Sequence, residues 1–136
     1  MDSSPASCPL SAAQIQTSLD ALESGVNLDP PYQEQQCLAR NNKRDELIEL
    51  HLWLLVGIAL QYTKASEGQR ESLDPSKQLE FDKALQERIT AGYPGLVQAR
   101  KKWDPERGYK FGTYASWWIR QAISKSQQVP SREELP

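Results

Sequence analysis

Between Trp103 and Lys125 the chain interleaves rings with cations: Trp103, Arg107, Tyr109, Lys110, Phe111, Tyr114, Trp117, Trp118, Arg120 and Lys125. An exposed ring is a platform for an unpaired base, a contact worth about 1–3 kcal/mol per base. Arg120 and Lys125 can neutralise phosphates, and Gln121 can read a base edge with its paired donor and acceptor. Aromatic–basic alternation over some twenty residues suits single-stranded nucleic acid better than a core.

The helix period sharpens this reading. With Thr113 at zero and 100° per residue, Tyr114, Ala115, Trp118, Ile119, Ala122 and Ile123 fall between 100° and 280°, an ordinary packing face. The opposite arc holds Thr113, Ser116, Arg120, Gln121 and Ser124, with Lys125 at its border. Trp117 falls at about 40°, inside the polar arc. Tryptophan is highly buried on average, so two readings stand. Trp117 is a stacking platform, or it packs against the N-terminal helices.

Catalytic chemistry has little to work with. His51 is the sole histidine and stands among apolar residues, where a packed ring is expected. Cys8 and Cys37 are far apart, with no CxxC spacing. A structural zinc site needs about four Cys/His ligands, more than these residues supply. No GxxxxGK[ST] loop is present for phosphates, and Glu133 and Glu134 read as solvated. No enzyme, no cofactor, no metal and no small-molecule substrate is expected. The N-terminus lacks a basic and apolar leader. The longest apolar run, Leu52 to Leu60, is nine residues, against the roughly twenty of a membrane span. A cytoplasmic protein without a membrane partner is the expectation.

The formal net charge is −2, yet Arg100 to Lys125 carries seven Lys/Arg against two Asp/Glu, a net of +5. Met1 to Ala99 carries eight against fourteen, a net of −6. An acidic body with a basic end fits a protein that meets an anion with one face. A solvated basic helix would give the same count.

The elements that must position these residues read as all-α. Ser11 caps a helix to about Glu23, with Gly25 past its end. After Asp29-Pro30-Pro31 a longer helical pattern occupies Tyr32 to Thr63, with an interruption expected near Asn41-Asn42. Lys64 to Ser76 reads as a linker, and Ser76 as the cap of a helix to about Ala91. Gly92-Tyr93-Pro94-Gly95 is a turn by composition, followed by a short helix, Leu96 to Lys102. Asp104 to Gly108 forms another turn, and the last helix runs from about Phe111 to Gln127. The expected organisation is an extension at 1–42, a helical domain at 43–127 and a flexible tail at 128–136.

The string WDPERGYKFGTYASWWIRQAISKS closely resembles the promoter-recognition segment of the sigma-70 family of bacterial transcription initiation factors, approximately FDxxRGYKFSTYAxWWIRQAIxR. DELIELHLWLLVGIALQYT resembles the family's preceding helix, LIexNLRLVvsIAxxY. ERITAGYPGLVQARKKWD resembles DLIQEGNxGLxxAvxkFD. Together they cover the family's second conserved domain, an all-α bundle. The resemblance implies that Trp117 and Trp118 lie at the upstream edge of the melted minus-ten element. Trp103, Arg107, Thr113 and Tyr114 would surround a flipped-out adenine. Gln121, Ser124 and Lys125 would face upstream base pairs, while Tyr109 and Lys110 grip the non-template strand beside Phe111 and Arg120. Extracting a base costs a few kcal/mol, which an aromatic pocket returns.

The same resemblance implies a contact with the clamp coiled coil of the largest core-polymerase subunit, through Glu87, Thr90, Ala91, Tyr93 and Val97. There the family's polar Gln, Glu and Asn are replaced, and Pro94 follows. The NLRL stretch, which serves a second flipped base, reads His51-Leu52-Trp53-Leu54. Nothing resembles the family's later domains. Two functions remain open: a sigma-like initiation factor bound to promoter DNA with RNA polymerase, or a sigma-like decoy, antagonist or accessory with altered polymerase contact. A truncated product with no independent role is a weaker third.

Overall fold

A computed structural model describes residues 8–25 and 27–134, with side chains through residue 126. Among the described residues there are six α-helices and one short 3₁₀ turn, with no strand. The all-α expectation holds.

α1 (Ala12–Ser24) opens on a reciprocal cap. Ser11 Oγ accepts from the Gln14 N–H, and Gln14 Oε1 accepts from the Ser11 N–H. Gly25, at φ +76°, ends it as expected of a left-handed terminator. α2 (Tyr32–Arg40) follows the two prolines, and α3 (Asp45–Leu50) follows a break in which Asn42 adopts φ +64°. The break near Asn41-Asn42 is thus present, but a second one separates α3 from α4 (Leu52–Glu67) at His51. Its cause is local. His51 Nδ1 donates to the Leu47 carbonyl at 2.7 Å, while the His51 backbone N–H turns to Ile48 instead. The side chain takes the acceptor that the helix ladder would have used.

The expected linker is shorter than Lys64 to Ser76. α4 continues through Glu67 to Gly68, and a 3₁₀ turn occupies Arg70–Ser72. Asp74, rather than Ser76, caps α5 (Pro75–Lys102). Its carboxylate accepts from the Lys77 N–H, and Pro75 occupies the first turn, where its missing N–H costs nothing.

The largest departure concerns Gly92-Tyr93-Pro94-Gly95, which is helix rather than turn. α5 runs unbroken through it to Lys102, absorbing the expected Leu96–Lys102 helix. Pro94 faces solvent, where the carbonyl it leaves unpaired can bond to water, while Gly92 and Gly95 are buried against α6 (Phe111–Glu134). A Cβ at Gly92 would come within 2.9 Å of Leu55 and 3.1 Å of Ile119 and Ile123. A Cβ at Gly95 would lie 2.9 Å from Ile119 Cα and nearer still to the Trp118 carbonyl. The glycines are a docking notch. Their cost in helix propensity is offset by the close approach they allow.

The core gathers Leu47, Leu55, Ile89, Leu96, Ile119 and Ile123, drawn from α3 to α6. α1 lays Ile15, Leu19 and Leu22 against α4 and its neighbours. Arg44 closes the far end of α5, donating to the carbonyls of Arg100 and Trp103 at 3.0 Å. α6 continues past Gln127 to Glu134, where a tail was expected from residue 128. A single proline there removes one backbone donor among residues of ordinary helix propensity.

If the notch sets the α5–α6 distance, Gly95→Ala costs about 1–3 kcal/mol by overpacking. Gly112→Ala, whose Cβ meets nothing closer than 3.5 Å, leaves stability equal or raises it. Urea unfolding of the two variants reads the contrast.

Candidate nucleic-acid interface

α6 is turned so that Ala115, Ile119 and Ile123 are buried, Tyr114, Trp118 and Ala122 are half-buried, and Thr113, Arg120, Gln121 and Lys125 are exposed. The glycine notch sets this rotation by seating the Trp118 carbonyl and Ile119 against α5. Trp117 consequently stands out, 56% exposed. Of the two readings open from sequence, the solvent-facing one is the structure's.

Trp117 does not stand alone. Its ring meets Trp118 edge-on at 5.2 Å, Trp118 meets Tyr114 edge-on at 6.2 Å, and Tyr114 stacks on Tyr109 at 5.6 Å. Four rings form a continuous run from the α5–α6 turn along α6. The Trp118 indole nitrogen is buried with no hydrogen-bond partner among the described residues. Ser124 is half-buried, its hydroxyl 3.0 Å from that of Tyr62.

Trp103 and Phe111 are placed differently from the other candidates. Both are buried in the core, their rings edge-on at 5.6 Å, and Trp103 Nε1 donates to the Tyr109 carbonyl at 3.2 Å. They belong to the core on which the half-buried Tyr109, Tyr114 and Trp118 pack, with no surface of their own to offer a base. Aromatic–basic alternation along the chain does not distinguish a core ring from a platform, because both keep rings beside cations.

The cations are partly matched. Arg107 is 69% exposed, 3.5 Å from Asp104, and Lys110 Nζ lies 3.0 Å from Asp29. Around the turn that carries them gather Asp29, Tyr32, Gln35, Gln36 and Arg40, none of which sequence reasoning placed at the site. Arg40 pairs with Glu106 at 2.7 Å. These partners are 66 to 81 residues distant in sequence, so no local pattern points to them.

His51 is buried between these elements, edge-on to Phe111 at 4.8 Å. Burial pushes its pKa below 6.5, against the Leu47 carbonyl and Asp29, which favour the charged form. The ring is therefore neutral near pH 7, and its 3.7 Å approach to Asp29 is no ion pair there. It is a packed histidine.

The residues matched to a polymerase contact lie on α5. Glu87 is exposed, while Thr90, Ala91, Tyr93 and Val97 are half-buried. Thr90 Oγ1 donates to the Gln86 carbonyl at 2.8 Å, and Tyr93 packs on the core. A cavity of about 680 Å³ opens elsewhere, between α1, α4 and α5, over Leu19, Leu60 and Phe81. No residue of the aromatic run lines it. Among the described residues no helix is long and apolar enough to cross a membrane, and no cluster of three or more His, Cys, Asp or Glu could hold a metal ion.

Comparison with known proteins points the same way. The Sigma-70 region 2 family matches residues 84–127. The RNA polymerase sigma factor SigA1 of Synechococcus elongatus is 36% identical over 120 residues, covering 84% of this chain and 26% of its own length. SigA of Nostoc sp. is 38% identical over 89 residues, covering 65% of this chain and 19% of its own. SigA of Synechocystis sp. is 38% identical over the same length, covering 17% of its own. The chain spans about a quarter or less of these curated relatives.

The depressed His51 pKa has a consequence for stability. As pH falls below 6.5, the unfolded chain takes up the proton before the folded one does. The contribution of this group is therefore present above that pH and lost as pH falls through the lower folded value. Urea midpoints measured from pH 7.5 to 5 are expected to fall, and His51→Leu to flatten that stretch of the curve.

Proposed function

The chain carries the second conserved domain of the sigma-70 family, and from that premise we propose that it is a sigma-like transcription initiation factor. It binds the single-stranded non-template strand of a minus-ten element together with RNA polymerase. The unit that does so is taken as 43–127, with residues 1–42 as its extension. One observation carries the reading: Trp117 stands in solvent beside Arg120 and Gln121 at the end of a four-ring run. Burying that ring in a partner returns stacking energy, whereas leaving it in water returns nothing.

The roles divide by exposure. Trp117 offers the stacking face. Arg107, Lys110, Arg120 and Lys125 meet phosphates, and Thr113 and Gln121 approach base edges. Tyr109, Tyr114 and Trp118 back the platform, while Trp103 and Phe111 belong to the core on which those rings pack. None of these groups is asked to break a bond, so the proposed role is not enzymatic.

The second reading, an accessory or antagonist with altered polymerase contact, has its own support on α5. The face of Glu87, Thr90, Ala91, Tyr93 and Val97 offers one exposed charge, with the Thr90 hydroxyl engaged internally. A contact with the polymerase clamp coiled coil through polar side chains would find few there. A pull-down with core polymerase separates the two readings: retention supports the initiation factor, loss the accessory.

Trp117→Ala is expected to weaken binding of a single-stranded TATAAT-type oligonucleotide by about 1–3 kcal/mol, measured by fluorescence anisotropy. Wild-type affinity should fall steeply with salt, as phosphate contacts release counterions. An unchanged affinity in the variant together with a flat salt response would remove the nucleic-acid role.

A further inference from the structure

The loop between α5 and α6 is bridged by a phenol. Asp104 to Arg107 forms a turn closed by its own backbone bond, the Arg107 N–H donating to the Asp104 carbonyl at 3.2 Å. The overlapping residues Pro105 to Gly108 offer the Pro105 carbonyl and the Gly108 N–H as the equivalent end groups. Here both groups bond to Tyr32 instead. The hydroxyl donates to the Pro105 carbonyl at 2.5 Å and accepts from the Gly108 N–H at 3.0 Å. Gln36 Nε2 adds a second donor to Pro105 at 2.8 Å. Gly108 sits at φ +94°, a conformation side chains disfavour.

The neighbouring Gln35 fixes the next step of the chain. Fully buried, it accepts the Phe111 N–H at 2.7 Å and donates to the Pro30 carbonyl at 2.8 Å. One of the unpaired donors that open any helix is thereby satisfied from α2. Lys110–Asp29 and Arg40–Glu106 close the contact on either side.

We propose that Tyr32 is a positioning residue for nucleic-acid binding, its hydroxyl bridging Pro105 and Gly108 so that Arg107, Tyr109 and Lys110 stand in register with Trp117. This rests on the nucleic-acid reading given above. Without that bridge the Pro105 carbonyl keeps only Gln36 and the Gly108 N–H loses its partner, while the Asp104–Arg107 bond remains. Arg107 lies between the two bridged residues, and Tyr109 and Lys110 follow directly, so all three lose a tether. Tyr32 touches no ligand. It sets where the ligand-facing groups are.

The test compares the full chain with Tyr32→Phe, which keeps the ring and removes both hydroxyl bonds. Thr63→Val is the control, since Thr63 loses a buried hydroxyl whose bond is to Ala59, inside α4. Binding of a single-stranded TATAAT-type oligonucleotide is read by anisotropy over a salt series, at temperatures where all three proteins are folded. Tyr32→Phe is expected to weaken binding about three- to tenfold, as a pre-ordered loop is lost, and to flatten the salt dependence as cations leave register. Trypsin should also cut faster after Arg107 in the unbound variant. Thr63→Val should lose stability at unchanged affinity. A wild type that binds while Tyr32→Phe matches it in affinity and salt slope overturns the bridge alone. Equal weakening by Thr63→Val also overturns it, because lost stability would then be the cause. A wild type that does not bind removes the nucleic-acid reading and this proposal with it.

Discussion

The approach of α6 to α5 across Gly92 and Gly95 is the constraint on which the rest of the molecule turns. With a backbone carbonyl of α6 seated where a Cβ of α5 would otherwise be, the helices approach more closely than side chains at these positions would allow, and separating or rotating them would leave a gap in the core. That contact places Ile119 and Ile123 in the core and sends Trp117 outward. An exposed indole costs hydrophobic burial. The geometry that imposes this cost is built into the other helix.

The aromatic part of the core follows from the same packing. Trp103 ends α5 and Phe111 starts α6, so their contact closes the hairpin where the two helices meet. His51 fills the space against Phe111 and interrupts the α3–α4 run to do so. Charge is arranged around this core. The acidic balance of the N-terminal part is not a diffuse cloud, since Asp29 reaches Lys110 directly while Arg40 reaches Glu106 in the opposite sense. The extension and the basic turn are fastened by side chains of both signs.

Much of the helical layout can be read along the chain because its causes are local. The Ser11 cap, the Gly25 terminator, the interruption at Asn41-Asn42 and the buried stripe of α6 each depend on residues within one or two turns. The Gly-Tyr-Pro-Gly segment misleads for a related reason: its composition is that of a turn, and only a partner helix makes two glycines worth keeping inside a helix. Asp74 takes the cap from Ser76 because Pro75 already suits the first helical position. At the interface, Trp117, Arg120 and Gln121 follow from periodicity. The burial of Trp103 and Phe111 does not, since both lie at helix ends, where neighbours from other helices decide exposure.

The sequence by itself determined the helical class, the polar placement of Trp117 on its own helix and the basic character of the final third, because all three are properties of residue order over short distances. Tertiary structure alone decided which aromatic rings are core and which are surface, that α5 passes unbroken through Pro94, and that Tyr32, Gln35 and Asp29 belong to a turn some seventy to eighty residues away. The physical reason is common to these outcomes. Burial and hydrogen bonding between distant segments are settled by what packs alongside, and no local period encodes a neighbour that arrives from the other end of the chain.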